Sequence, residues 1–277
     1  MLQQQVTLTT DTLLNLIRRR GAEPHTVLAG TPTWYSEEAQ RAEDEQANAE
    51  LAKYGLMGPR GMDSGLAATL DAVAHPRVEY YAWINGGYDG KAVDYTVLAG
   101  SAGGEAFVLG RNPRHEGVVL ASVRPSELLA GFLEQIPKLA PGRGSPIAVP
   151  RSELDGGRSS STAQEEGYTV LRSGQASAGS KDAEELRRLL KLRRLGGGSL
   201  YVAARGRGGT RQRVDRPLNY IDTTEGRWLT EEVPGSGETL ISFTPATPQL
   251  LAEKLRAAYA ALSPDAVGEE TPQTFRV

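Results

Sequence analysis

The sequence predicts a mixed α/β (α+β) fold in which one supersecondary unit is used twice: a pseudo-twofold body with a central antiparallel β-sheet flanked by two helical groups. Three observations predict it. First, the chain slid against itself by 122 residues holds one gapless register for about seventy residues. Val78–Trp83 (VEYYAW) falls on Leu200–Arg205 (LYVAAR), and Gly104 falls on Gly226. Leu128, Leu129, Ala130 and Leu133 fall on Leu250, Leu251, Ala252 and Leu255. Identities are few, so the match is one of pattern. Second, strand-like runs follow one another at hairpin spacing, which favours an antiparallel meander. Third, each copy reads helix, meander, helix, and the helices supply the second layer that a sheet face needs.

In the first copy, Val6, Leu8 and Thr10 alternate with Thr7 and Thr9 as a short strand. Asp11 leads into a helix, Thr12–Arg20. Pro32 precedes the Glu- and Ala-rich Trp34–Lys53, a solvated helix anchored by Trp34, Tyr35, Leu51 and Tyr54. The next helix ends before Pro76 and lines up Met62, Leu66, Leu70, Val73 and Ala74 on one stripe. Strands are expected at Arg77–Ile84, Val93–Ala99, Glu105–Leu109 and Val118–Val123. The composition of Asn85-Gly86-Gly87-Tyr88-Asp89-Gly90 makes it the turn between the first two. A helix over Ser126–Ile136 closes the copy, with Leu128, Leu129, Phe132, Leu133 and Ile136 on its stripe.

The second copy repeats this order. Ser145–Val149 reads as a strand and Lys181–Leu195 as a helix stopped by Gly196-Gly197-Gly198. Strands follow at Leu200–Ala204, Pro217–Asp222, Arg227–Thr230 and Thr239–Phe243. Thr247 and Pro248 start the closing helix, Gln249–Leu262. Residues 1–262 are therefore expected to form a single domain, with repeats at about 5–137 and 145–262. Asp155–Ser180 is rich in Gly, Ser, Gln and Ala and is expected to be disordered. Ser263–Val277 is expected to be a frayed tail.

Composition narrows the function. Lys plus Arg is 31 against 34 Asp plus Glu, a formal charge of -3, which does not suggest a nucleic-acid binder. No apolar run reaches membrane-spanning length, and the N-terminus lacks the pattern of a signal peptide, so the expected location is the cytoplasm. Cys is absent, which excludes disulfides, thiolate metal sites and Cys nucleophiles. His25, His75 and His115 are not at metal-ligand spacing and read as solvated or capping residues. No nucleophile elbow, P-loop or zinc-protease motif occurs. Gly206-Arg207-Gly208-Gly209 lies between strands rather than before a helix, so it lacks the geometry of a phosphate cradle.

Two features leave alternatives open. Arg205, Arg207, Arg211, Arg213 and Arg216 cluster in sequence, and Arg187, Arg188, Lys191, Arg193 and Arg194 lie on or near the helix before them. This patch reads as a solvated face, as a surface for an acidic protein, or as a nucleic-acid or anion-binding module. Leu186, Leu189, Leu190, Leu192 and Leu195 spread over more than half of the circumference of helix Lys181–Leu195. That spread fits either burial between sheet and helix or contact with a second surface.

Four stretches, in order, resemble the EspG family of proteins associated with ESX (type VII) secretion in actinobacteria. They are Glu50–Leu56 (ELAKYGL), Val118–Pro137, Val214–Leu229 (VDRPLNYIDTTEGRWL) and Glu238–Leu255. The resemblance implies a cytosolic chaperone that uses no cofactor or metal and carries no catalytic residue. Such a chaperone holds an ESX-exported helical client, such as a PE–PPE pair, soluble before export. It implies contacts from a loop here made of Asn85, Gly86, Gly87, Tyr88, Asp89 and Lys91, and from helices that here supply Leu186, Leu189 and Arg193. The chain is further expected to be a monomer or weak dimer with no nucleic-acid partner and no membrane span.

Overall fold

The computed structural model describes residues 2–28, 36–151, 178–206, 209–235 and 237–262, with only the backbone of 178–180. Trp34, Tyr35, Arg207, the expected disordered segment up to 177 and the expected tail lie outside the described residues. The fold is mixed α/β on an antiparallel sheet, and every strand ladder whose register is described is antiparallel. The described residues fall into two compact units. The first comprises Met1–Lys138, Gly198–Leu218 and Pro248–Val277; the second comprises Leu139–Gly197 and Asn219–Thr247.

The first unit contains strands β1 (Val6–Thr9), β4 (Val78–Tyr88), β5 (Lys91–Ala102), β6 (Glu105–Arg111) and β7 (Gly117–Val123). Most of β9 (Arg194–Arg205) and the short β10 (Arg211–Arg213) also belong to it. Their order is β1-β7-β6-β5-β4-β9, with β10 on β9. Thus β4 and β9, the two strands that the repeat register superposes, are neighbours. A small hairpin, β2 (Met57–Gly58) with β3 (Gly61–Met62), was not expected from the sequence. It takes Met62 out of the helical stripe, though Met62 still packs against the core.

Helices α1 (Thr10–Arg18), α2 (Glu37–Lys53) and α3 (Ser64–Ala74) supply the layer over this sheet. Leu13, Leu16 and Ile17 recur at helical spacing on α1 and are buried with Leu66, Leu70 and Val73 of α3. From the sheet they meet Tyr81, Leu98, Phe107, Leu109, Val118 and Leu120. The start of α1 is capped twice. The Thr9 hydroxyl accepts the N–H of Thr12, while Glu50 of α2 accepts the Thr9 N–H at 2.8 Å and its hydroxyl at 2.7 Å. Asp63 caps α3, and Pro76 follows its end. As expected, α2 is mostly solvated and buries only Ala47 and Leu51; Tyr54, read as an anchor, is instead exposed. Tyr80 faces the opposite way from Tyr81 and meets Phe132 of α4 (Leu128–Leu133). The last helix, α6 (Pro248–Leu262), completes the unit.

The second unit contains β8 (Ile147–Pro150), β11 (Leu218–Thr223), β12 (Gly226–Pro234) and β13 (Thr239–Pro245), ordered β11-β12-β13-β8. Helix α5 (Ala178–Lys191) packs on β8 around Ile147, Val149, Ala183, Leu186, Leu189, Trp228 and Phe243. Shifting β7 by 122 residues lands it on β13 from end to end. The edge strand β1 pairs with β7 as β8 pairs with β13. The passage from α5 into β9 differs from expectation. Helix α5 ends at Lys191, and Leu195 and the glycine run lie in β9. The glycines there serve close packing: a Cβ on Gly197 would sit 2.6 Å from the Tyr220 carbonyl oxygen.

Candidate partner-binding surface

The residues expected to form a loop are mostly strand. The β4–β5 ladder runs to Tyr88↔Lys91, leaving a two-residue turn at Asp89-Gly90. Asp89 has φ 50° and Gly90 φ 74°, the left-handed pair of a type I′ hairpin turn. The Asp-Gly dipeptide is the local signal for that turn, and the preceding Asn-Gly-Gly masks it. On this hairpin end Asn85, Gly87, Asp89 and Lys91 are exposed, while Gly86 and Tyr88 are half-buried. The neighbouring strand β6 pairs with β5 only from Thr96 onward, so the hairpin extends past it.

The helical candidates belong to the second unit. Leu186 and Leu189 are fully buried in its core, so their apolar character reflects burial rather than contact with a second surface. Leu192 packs beside them. Arg193 is exposed, and so is Leu190, at 53%. Leu190, Lys191 and Arg193 are therefore among the outward residues of this stretch, and Leu186 and Leu189 are not.

The basic patch is partly consumed by ion pairs. Arg188 bonds Glu185 and forks onto Glu225 at 2.7 and 2.8 Å, which holds both carboxyls below their usual range. Arg211 bonds both oxygens of Glu79, which is 1% exposed. His25 Nε2 lies 3.3 Å from the same carboxylate. Burial pushes the Glu79 carboxyl up, but hydrogen bonds from His25 and Arg211, together with their charge, outweigh it and hold the group below its usual value. His25 is thus not solvated: its Nδ1 accepts the Val27 N–H at 3.2 Å, the capping role among the expected readings, and its Nε2 faces a carboxylate 54 positions away, a pairing that no local pattern reveals. Around it lies an aromatic group absent from the sequence reading. Tyr81 and Tyr201 stack at 5.1 Å, and Trp83 meets both edge-on at 5.5 and 5.3 Å.

Among the described residues no group of acidic or His side chains could hold a metal ion. None of the described helices is long and apolar enough to cross a membrane. A shallow groove of about 490 Å³ runs between β10 and the end of α6, lined by Gln212, Val214, Ala258 and Leu262 among others.

The sequence model of the EspG family matches residues 9–257. The chain belongs to the EspG family. Among solved structures it is similar to the type VII secretion system chaperone EspG5 of Mycobacterium tuberculosis, solved in complex with a PE25–PPE41 dimer. The likeness has a TM-score of 0.58 at 16% identity and covers 93% of this chain and 96% of that one. At that identity it speaks for the fold. No curated protein matches the sequence.

The stretches that resemble EspG proteins do structural work here. In ELAKYGL, Glu50 caps α1, Leu51 is fully buried, and Gly55 takes φ 69° at the end of α2. In the β11–β12 hairpin, Asp222 and Arg227 form a buried fork with two contacts of 2.7 Å, and the guanidinium lies 4.3 Å from the Tyr220 ring centroid. Gly226, at φ 113°, lets Pro141 approach, since a Cβ there would sit 2.4 Å from the Pro141 oxygen. These residues set the second unit's geometry and are unsuited to touching a partner.

Proposed function

We propose that this EspG-family chain is a cytosolic, non-catalytic chaperone that binds a PE–PPE-like helical heterodimer and keeps it soluble for type VII export. The family match over residues 9–257 carries the reading. The solved EspG5 structure with its PE25–PPE41 dimer names the class of client. Client contact is assigned to the β4–β5 hairpin end, through Asn85, Gly87, Asp89 and Lys91, and to Leu190 and Arg193. All of these are exposed and available without unfolding either unit. The nucleic-acid alternative loses ground because Arg188 and Arg211 already hold carboxylates.

The test is co-expression with the PE–PPE-type pair encoded beside the gene, followed by affinity capture and light scattering. A soluble ternary complex is expected. Asn85→Arg with Lys91→Glu, both at exposed positions, is expected to weaken capture at least about tenfold in a folded chain, the scale of an interface hot spot. A pair that stays insoluble and unbound with the wild-type chain would refute the reading.

A further inference from the structure

One face of the first unit's sheet changes character along β4. Residues of one parity project to the same face, so Glu79, Tyr81, Trp83 and Asn85 form a row. Glu79 and Tyr81 are buried, whereas Trp83 is 36% exposed and Asn85 is open to solvent. Alongside, Tyr201 of β9 is half-buried and stacks on Tyr81. Arg213 of β10 places its guanidinium 5.6 Å from the Tyr201 ring centroid.

The two arginines of β10 differ. Arg211 is tied to Glu79, so its charge is matched. Arg213 is exposed and, among the described residues, joins no ion pair. A Trp edge left in water therefore lies next to an unmatched, ring-supported cation. The Trp83 ring is held by two tyrosines, so little rotamer freedom is left to lose on binding, a property of interface anchors.

We propose that Trp83, Tyr201 and Arg213 form a single anchor point for the helical client, taking an apolar side chain against Trp83 and a carboxylate on Arg213. The centroid separations of 5.3 Å (Trp83 to Tyr201) and 5.6 Å (Arg213 to Tyr201) set both subsites against the one Tyr201 ring, at most about two helical turns of about 5.4 Å apart. On one helix face, residues three or four apart lie about 5–6 Å from one another, and residues two turns apart about 11 Å. An apolar residue with an acidic one, one or two turns along the same helix face, is thus the chemistry that fits. The inference rests on the chaperone reading and adds residues outside the hairpin end.

The experiment is calorimetric titration of the wild-type chain, Trp83→Ala and Arg213→Glu with the purified PE–PPE-type pair encoded beside the gene. Each variant is expected to raise Kd at least about tenfold. Arg213→Glu should also flatten the salt dependence of binding, because an ion pair is removed. Thermal melting accompanies each titration. If Trp83→Ala loses its fold, Arg213→Glu, at an exposed position, decides alone. Wild-type binding with Arg213→Glu and a folded Trp83→Ala within about threefold of it would overturn the anchor and leave the chaperone reading intact. A wild-type chain that binds no such pair would fail the chaperone reading first, and the anchor with it.

Discussion

Replacing Asp222 with Asn tests the role assigned to the Asp222–Arg227 fork. The Asp222 side chain is 0% exposed and that of Arg227 6%, and both contacts are 2.7 Å. The amide would keep the volume of the carboxylate but take the Asp222 charge away from a buried guanidinium under the β11–β12 hairpin. Removing one partner of a buried pair costs about 3–5 kcal/mol, against about 0–1 kcal/mol for an exposed pair. A folded protein has only about 5–15 kcal/mol to lose, so this single change should remove a large part of its stability. Urea unfolding read by far-ultraviolet circular dichroism measures the loss. Fluorescence adds a local probe, because Trp228 is fully buried next to Arg227. Asp222→Leu with Arg227→Met removes both charges and is expected to be less damaging than Asp222→Asn alone. A loss under about 1 kcal/mol for Asp222→Asn would refute the reasoning, since that is the scale of a solvated pair.

Two further outcomes rest on the same geometry. Glu79 has a depressed folded-state pKa, so its contribution is present above the unfolded value and lost as pH falls through the folded one. Glu79→Gln should therefore be less stable than wild type at pH 7, with the gap closing below about pH 4.3; a gap constant from about pH 7 to about pH 3 in urea titrations would contradict this. Gly142→Ala would place a Cβ 2.2 Å from Trp228 Cε2, while Gly110→Ala meets nothing within 4 Å. The first should lose about 1–3 kcal/mol in thermal melts and the second far less, and equal losses would disprove the packing account.

Much of the architecture is already visible in the sequence because it rests on local periodicity. Alternating residues mark β1, helical stripes mark α1 and α3, and the 122-residue register marks the correspondence of β7 with β13. Each is a property of residues close in sequence, or of one pattern repeated. The absence of Cys and of catalytic motifs is equally a matter of sequence, and the ordered EspG-like stretches lead to the family. Tertiary structure decides what depends on residues far apart. It burdens Arg211 with Glu79 across 132 positions, so a cation that reads as free is not, while Arg213, two residues on, stays unmatched among the described residues. It buries Leu186 and Leu189 and turns Leu190 outward, a choice that apolar composition cannot make, because all three leucines are alike until β8 covers one side of α5. It also reads glycine in two ways. Gly90 permits a turn at positive φ, whereas Gly197 and Gly142 make room for a neighbour's carbonyl and an indole. A missing Cβ says only that space or freedom is needed, and the neighbours that use the space are brought there by the fold.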